Sequence, residues 1–432
     1  MSLLVYSHKI TPRLTYIFRH IFTRILQIPV VFTTRVEDFI AHEGMKMSYT
    51  KYPLGNEFFV RSHELLFERG VSDVEFNLHD WKGVPTFFST GEKSSLPYDI
   101  FAAGFYLLSR YEEYLPHVKD AFGRFPFRES LAYKHHFLEK PVLDIWVMNL
   151  SDALQSKFPN EVLTPIAFSS QIIVEVSEAF AYINKGVGRS LWEMGEDLYQ
   201  LKFKNILWRL LAIFRVQKDP FLVYEWLLTQ HQNKASRLIL FFLMADYSLV
   251  NKSINIHNPA FRLLVKNLAD HVEIGSEISL SGQNVTEKME LEIKRLEKIT
   301  HRKSFGTFQS RARLNLPETY RKLIDLEVTE DYSMGYINQV GFRAGTSHPF
   351  NFYDLGYEIQ TPLKIIPFCV SDEALKDFSA ETRNLKLTQM IEEVRRNHGT
   401  FTAVFSHAAF SKKFSAINFR ALYQKLLKTL EQ

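Results

Sequence analysis

The chain has 432 residues, 46% hydrophobic and 23% charged, which is enough for more than one hydrophobic core and ordinary for a globular protein. The net charge of +4, with basic residues only in scattered pairs such as Arg395–Arg396 and Lys412–Lys413, excludes the concentrated basic stripe of a nucleic-acid binder. One cysteine, Cys369, excludes an internal disulfide and a cysteine-rich zinc site.

In chain order, Leu3 to Tyr6 reads as a strand, and Pro12 opens a helix with Leu14, Ile17, Phe18, Ile21, Phe22 and Ile25 on one face. Strands are predicted at Pro29–Thr33, Met45–Tyr49, Phe58–Val60 and Val74–Phe76, and a helix over Tyr98–Tyr114. Residues 1–36 hold no acid and carry Lys9, Arg13, Arg19, Arg24 and Arg35. A basic amphipathic helix can lie on a membrane, but the strand–helix–strand context predicts one docked on its own sheet, so membrane contact is not expected. The opening Ser2–Ser7 is followed at once by His8-Lys9, and no run approaches the ~20 apolar residues of a membrane span. A cytoplasmic location is the expectation.

The stretch around Pro159 and Pro165 reads as a linker over 156–170, separating an N-terminal α/β domain (1–155) from a second unit (171–432). There, strands at Ile172–Val176, Leu238–Met244, Val272–Ile274, Leu363–Pro367 and Phe401–Phe405 alternate with helices at Leu201–Arg215, Phe261–His271, Thr286–Lys298 and Phe419–Leu430. Repeated βα units imply a parallel sheet or barrel, with any chemistry on loops at the C-terminal strand ends. Cys369 sits in the apolar run Ile365–Val370 and reads as an inert, buried thiol.

Several phrases, in order along the chain, resemble a bacterial two-domain group in the polysaccharide deacetylase superfamily, with chitooligosaccharide deacetylase homology. They are Ser109-Arg110-Tyr111-Glu112-Glu113-Tyr114-Leu115, Phe122-Gly123-Arg124-Phe125, Glu139-Lys140-Pro141 and His257-Asn258-Pro259-Ala260-Phe261-Arg262. Further along come Leu316-Pro317-Glu318-Thr319-Tyr320-Arg321, the run Glu330–Tyr336, Gly341-Phe342-Arg343-Ala344 and the run Pro349–Leu355. The resemblance implies a distorted (β/α) deacetylase-like barrel after the N-terminal α/β domain. It also implies removal of N- or O-acetyl groups with one divalent metal, zinc or manganese, that polarises the acetyl carbonyl and its attacking water.

The motifs expected to do this depart from the family's pattern. The first-strand motif, which in the group resembles Ile-Asp-Val-Asp-Asn, is here Val174-Glu175-Val176-Ser177-Glu178. Glu175 stands at the base position, while Ser177, a poor ligand for a dication, replaces a metal-binding aspartate. The Gly-Ile-His-Pro-Ser motif is Gly275-Ser276-Glu277-Ile278-Ser279, so Glu277 replaces a histidine, and another expected histidine is missing from Thr307–Arg311. The last motif survives as Phe405-Ser406-His407 and implies a proton donor, and Arg343 survives as the arginine that orients the carboxylate. With all expected zinc ligands changed, no resident metal is expected.

Several residues keep two readings. Glu175, Glu178 and Glu277 with His407 suit an oxygen-rich magnesium, manganese or calcium site, or point to solvent or arginines. Arg343 clamps an anionic ligand or pairs with Asp331 or Asp354. Asp246 lines a pocket or caps the next helix. Tyr332, Tyr336, Phe350, Phe352 and Tyr353 stack sugars or fill the core, and His135-His136 lie on the surface. The expected function is a non-catalytic relative of the deacetylases that binds a polysaccharide or a protein of polysaccharide assembly. The alternatives are a divergent metal-dependent deacetylase using Glu175 and His407, and a scaffold with a basic N-terminal surface.

Overall fold

The computed structural model describes residues 2–248, 251 and 253–432. At the N-terminus, β1 (Leu3–Tyr6), β2 (Val30–Thr33), β3 (Lys46–Thr50) and β4 (Phe58–Arg61) form a parallel sheet in the order β2-β1-β3-β4. The helix between β1 and β2 starts where Thr11 Oγ1 accepts the Leu14 N–H and proline occupies the first turn, positions that tolerate a missing donor. It runs α-helical over Pro12–Phe18 and continues as a π-helix over Arg19–Ile25. The wider turns keep Ile21, Phe22 and Ile25 on the buried face begun by Leu14, Ile17 and Phe18. A small hairpin, β5 (His79–Trp81) with β6 (Val84–Thr86), follows.

The helix predicted over Tyr98–Tyr114 is two: Ile100–Leu108, wholly buried and capped by Asp99, and Tyr111–Tyr114. Arg110 breaks it with a left-handed backbone (φ 53°). Tertiary contact overrides propensity here, because the break turns the Arg110 guanidinium into a buried cluster with Glu112, Glu113 and the Arg343 carbonyl.

The second sheet is built from β7 (Ser169–Val176), β8 (Arg237–Leu243), β9 (Glu273–Ile278), β10 (Gly306–Gln309), β11 (Glu330–Met334), β12 (Phe350–Asp354), β13 (Ile359–Pro367), β14 (Val370–Ser371) and β15 (Thr400–Ser406). Its order is β12-β13-β11-β10-β9-β8-β7-β15-β14, parallel except for the β12–β13 pair. β13 and β14 are separated only by Phe368 and Cys369, yet one pairs with β11 and the other with β15 across the sheet. That short link forces the sheet to curl on itself, giving a distorted (β/α) barrel. Ile173, Ile239, Phe241, Phe308, Tyr332 and Val404 fill its inside, while Ile172, Val174, Leu240 and Phe242 on the other face pack under the helices. The N-terminal core runs on into Leu314, Met334, Phe350 and Leu363, so the two sheets flank shared apolar packing. Among the described residues no helix is long and apolar enough to cross a membrane. Cys369 is buried, which pushes its thiol up to about 12.

Gly275 is required by space. A Cβ there would stand 2.3 Å from a ring carbon of Phe241 and 2.8 Å from the Gly306 carbonyl oxygen. Gly275→Ala is therefore expected to lower stability by about 1–3 kcal/mol through overpacking, read from the midpoint of urea unfolding. An unchanged midpoint would show that Phe241 can retreat.

Candidate functional site

The parallel register brings chemistry to one end of the barrel. Ser406 lies opposite Glu175, Glu175 opposite Phe241, and Glu277 opposite both Leu243 and Phe308. Cross-strand partners face the same way, so Glu175 and Glu277 both point to the inner face, above the apolar filling and at the C-terminal strand ends. They share a cleft of about 940 Å³ with Ser177, Ser310, Arg311 and Asp372. The N-terminal unit closes one side with Phe122 and Arg124. The Arg311 and Arg124 guanidiniums lie 4.8 and 5.1 Å from the Phe122 ring centre, and Arg124 is also tied to Asp120 at 2.7 Å.

Three acids form the cleft floor. Glu277 is buried and accepts hydrogen bonds from the hydroxyls of Ser177, 3.0 Å to each oxygen, and of Ser310. Burial raises its pKa to about 7 against the opposing pull of those hydroxyls. Glu175 is raised well above the carboxylate range, first by burial, then by the charges of Glu277 and Asp372, with Arg311 opposing. Asp372 is raised by burial although it accepts from the Ser406 N–H at 3.1 Å and hydroxyl at 2.7 Å. Burial thus favours the protonated form of all three acids, and a protonated carboxyl donates as well as accepts.

His407 stands behind this floor. Its Nδ1 is 3.2 Å from the Glu175 carbonyl oxygen, and its ring lies between Phe221 and Tyr224. Its Nε2 is buried with no hydrogen-bond partner among the described residues, and the side chain is absent from the cleft wall. Burial pulls its pKa down to about 4, which favours the neutral imidazole at pH 7. Glu178 lines the cleft but is held by Lys185 and Arg189, each at 2.6 Å.

Arg343 pairs with neither Asp331 nor Asp354. Its guanidinium grips Glu113 of the N-terminal unit in a fork, at 2.9 and 2.7 Å, and Arg110 binds the same carboxylate at 2.8 Å. Burial pushes the Glu113 carboxyl up, but Arg343 and Arg110 outweigh it and hold it at about 2. Asp331 instead accepts from Thr307 and Ser333, and Asp354 from Arg321. Arg343 and Tyr336 border a second cavity of about 310 Å³, which shares Arg124, Ile337 and Asn338 with the cleft.

The remaining expected ligand-binding residues lie elsewhere. Asp246 is exposed and paired with Arg295 at 2.9 Å. Tyr332 fills the barrel against Phe241 and Phe305, its hydroxyl on Glu330 at the opposite end. Tyr353 packs on Tyr16 and Phe105, Phe350 faces His20, and Phe352 meets Tyr320. These rings are core, and no face is open to stack a sugar. His135 and His136 are exposed.

Several cleft residues were not singled out from sequence, Phe122, Arg124 and Asp372 among them. Phe122 and Arg124 were legible only as a phrase of the resemblance, and their place in the cleft comes from packing between the units. Asp372 had a signal, an acid just after the apolar run Ile365–Val370 at a C-terminal strand end.

The donor set does not fit the divalent metal of the resemblance. Ser177 and Ser310 spend their hydroxyls on Glu277, the His407 imidazole is outside the cleft, and burial makes the acids favour protons. Among the described residues no group of three or more His, Cys, Asp or Glu side chains is gathered to hold a metal ion.

Residues 3–159 match a family model described as a family of unknown function, DUF7033. No curated protein matches the chain. Similar solved structures include a putative polysaccharide deacetylase from Mycobacterium smegmatis, with 11% identity over 61% of this chain and 84% of that one and a TM-score of 0.37. A probable polysaccharide deacetylase from Pseudomonas aeruginosa PAO1 shares 14% over 61% and 84%, with a TM-score of 0.37. The Puue allantoinase shares 12% over 62% and 84%, with a TM-score of 0.38.

Proposed function

We propose that the cleft of this deacetylase-like barrel binds a carbohydrate without metal-dependent deacetylation, and that the chain serves polysaccharide assembly as a binding protein. One observation carries this reading. The two positions where the resemblance expects an aspartate and a histidine hold Ser177 and Glu277, and the segment missing another histidine supplies Ser310. The hydroxyls of Ser177 and Ser310 both donate to the Glu277 carboxylate. Positions that would open toward a cation are thus closed into a hydroxyl–carboxylate–hydroxyl cluster. The carboxyl groups with Arg311 and Asn338 offer the mixed donors and acceptors that sugar hydroxyls use. A division into units 1–155 and 171–432, and a cytoplasmic location, belong to the same reading.

The test titrates the purified chain with acetylated and free chito-oligosaccharides, with and without zinc or manganese, while acetate release is followed. Saturable binding that a chelator leaves unchanged, with no acetate released, is the expected result. Metal-dependent acetate release would overturn the non-catalytic half, and absence of saturable binding across the series would overturn the carbohydrate half.

A second reading has one observation in its favour: a carboxyl near pH 7 beside another raised acid is the arrangement of a metal-independent acid–base pair. Turnover of a glycoside or ester with a bell-shaped pH profile in chelator would establish it.

A further inference from the structure

Two helices after the first barrel strand, Val187–Tyr199 and Phe203–Ile213, form a hairpin whose polarity is reversed. A helix on a protein surface ordinarily turns its apolar stripe inward and its charges to water. Here Arg189, Glu193 and Asp197, spaced four residues apart, face inward. Arg209 of the second helix bonds Glu193 at 2.6 Å and Asp197 at 3.1 Å, while Lys185 and Arg189 also hold Glu193. Asn205 completes this inner layer by donating to Asp197 at 3.0 Å. The first helix has no buried residue at all. The outward faces are apolar: Leu191 is 62% exposed, Trp192 72%, Tyr199 89%, Phe203 59% and Phe214 73%.

Such a face, contiguous over two helices, is far more apolar than isolated surface hydrophobics require. Its composition indicates what covers it. Trp, Tyr, Phe and Leu are the side chains that settle at a bilayer interface. Lys202 and Lys204 at the hairpin turn, and Arg215 at its far end, are exposed and have no acid partner among the described residues. A cationic rim around an aromatic face complements anionic lipid headgroups. The helices are too short to span a bilayer, so the arrangement suits lying in the interface. Arg189, Glu193, Asp197 and Arg209 are neutralised against one another on the inner side, and Glu196, exposed and bonded by Gln200 at 3.2 Å, is the acid left at the edge of the apolar face.

We propose that this hairpin docks the chain onto an anionic membrane surface. Its inner side holds Glu178, which lines the cleft, through Lys185 and Arg189, so docking sets the cleft beside the bilayer. The inference stands independently of what the cleft binds.

Flotation of the full chain with phosphatidylcholine vesicles, with and without phosphatidylserine, tests it. The chain is expected to float with the anionic vesicles and to be released as salt screens the rim. Two variants locate the contact: Trp192→Ser/Phe214→Ser removes apolar anchors, and Lys202→Glu/Lys204→Glu reverses the rim. Both alter exposed side chains, and unchanged circular dichroism and unfolding midpoints establish that they fold. Each is expected to lower the bound fraction by about tenfold or more. Failure of the wild-type chain to float, or equal flotation by folded variants, would overturn the proposal. A lipid-free dimer that the Trp192→Ser/Phe214→Ser variant dissociates, seen by analytical ultracentrifugation, would overturn it in favour of a second copy as the occupant.

Discussion

Arg343→Met is expected to cost about 3–5 kcal/mol of folding stability, read from urea unfolding. The reason is the company its guanidinium keeps. It is buried, forked onto Glu113, and joined through that carboxylate to Arg110, which in turn holds Glu112. Removing Arg343 leaves Glu113 in the interior with one cation where two held it. Two elements feel this at once, because Glu113 belongs to the N-terminal unit and Arg343 to the loop that follows the barrel strand Glu330–Met334. The double variant Glu113→Met/Arg343→Met removes both members of the fork, and Arg110 keeps Glu112 at 2.8 Å and the residue 343 carbonyl. It is expected to be less destabilised than the two single variants summed, by about 1–3 kcal/mol. Additive single effects, or a loss below about 1 kcal/mol for Arg343→Met, would show that water reaches the cluster and that the fork is a surface-like pair.

The same cluster marks where sequence reasoning stops. The arginine could be recognised, and its two expected partners, Asp331 and Asp354, were acids close to it in sequence. Its actual partner lies 230 residues earlier in the chain, on a helix that is broken at Arg110 to present it. No periodicity encodes such a pairing. By contrast, the barrel strands were legible because Ile172–Val176 and Leu238–Met244 are apolar on both faces, as strands buried inside and out must be. Glu175, Ser177 and Glu277 were singled out through the motifs of the resemblance, and the parallel register brings them to one strand end. The aromatic run from Tyr332 to Tyr353 was ambiguous for a physical reason: a ring that fills a barrel and a ring that stacks a sugar have the same composition. Only position along the strand separates them, and Tyr332 lies at the end opposite the cleft. The reversed hairpin is the opposite case. A helix was legible over Leu201–Arg215, but an amphipathic pattern fixes two faces without saying which one meets water. That is decided by Glu193 and Asp197, which bind Arg209 inward and leave Leu207 and Phe214 outside.

Glu277→Gln is expected to stabilise the protein at pH 8 while leaving it nearly unchanged below pH 5. Folding raises the Glu277 carboxyl from its ordinary 4.5 to about 7, chiefly by burial. A group raised in the folded state stabilises that state fully below its unfolded value, and the contribution is lost as pH rises through the folded one. For Glu277 the loss falls between about pH 4.5 and 7, and a shift of that size corresponds to an upper value on the order of 3 kcal/mol. Glutamine is neutral throughout and keeps an amide oxygen for the Ser177 and Ser310 hydroxyls, so the variant escapes that loss. It also relieves Glu175, whose own pKa is raised in part by the Glu277 charge. The comparison is the urea midpoint of both proteins at pH 5 and pH 8. Parallel loss of stability by the two proteins over that range, or a less stable variant at pH 8, would mean that Glu277 is ionised and accommodated in the folded chain. The substitution also separates the two functions open to the cleft. Glutamine preserves hydrogen bonding to a sugar but cannot give up or take a proton. Binding of chito-oligosaccharides should therefore survive in the variant, whereas any turnover through a Glu175–Glu277 acid–base pair should be abolished.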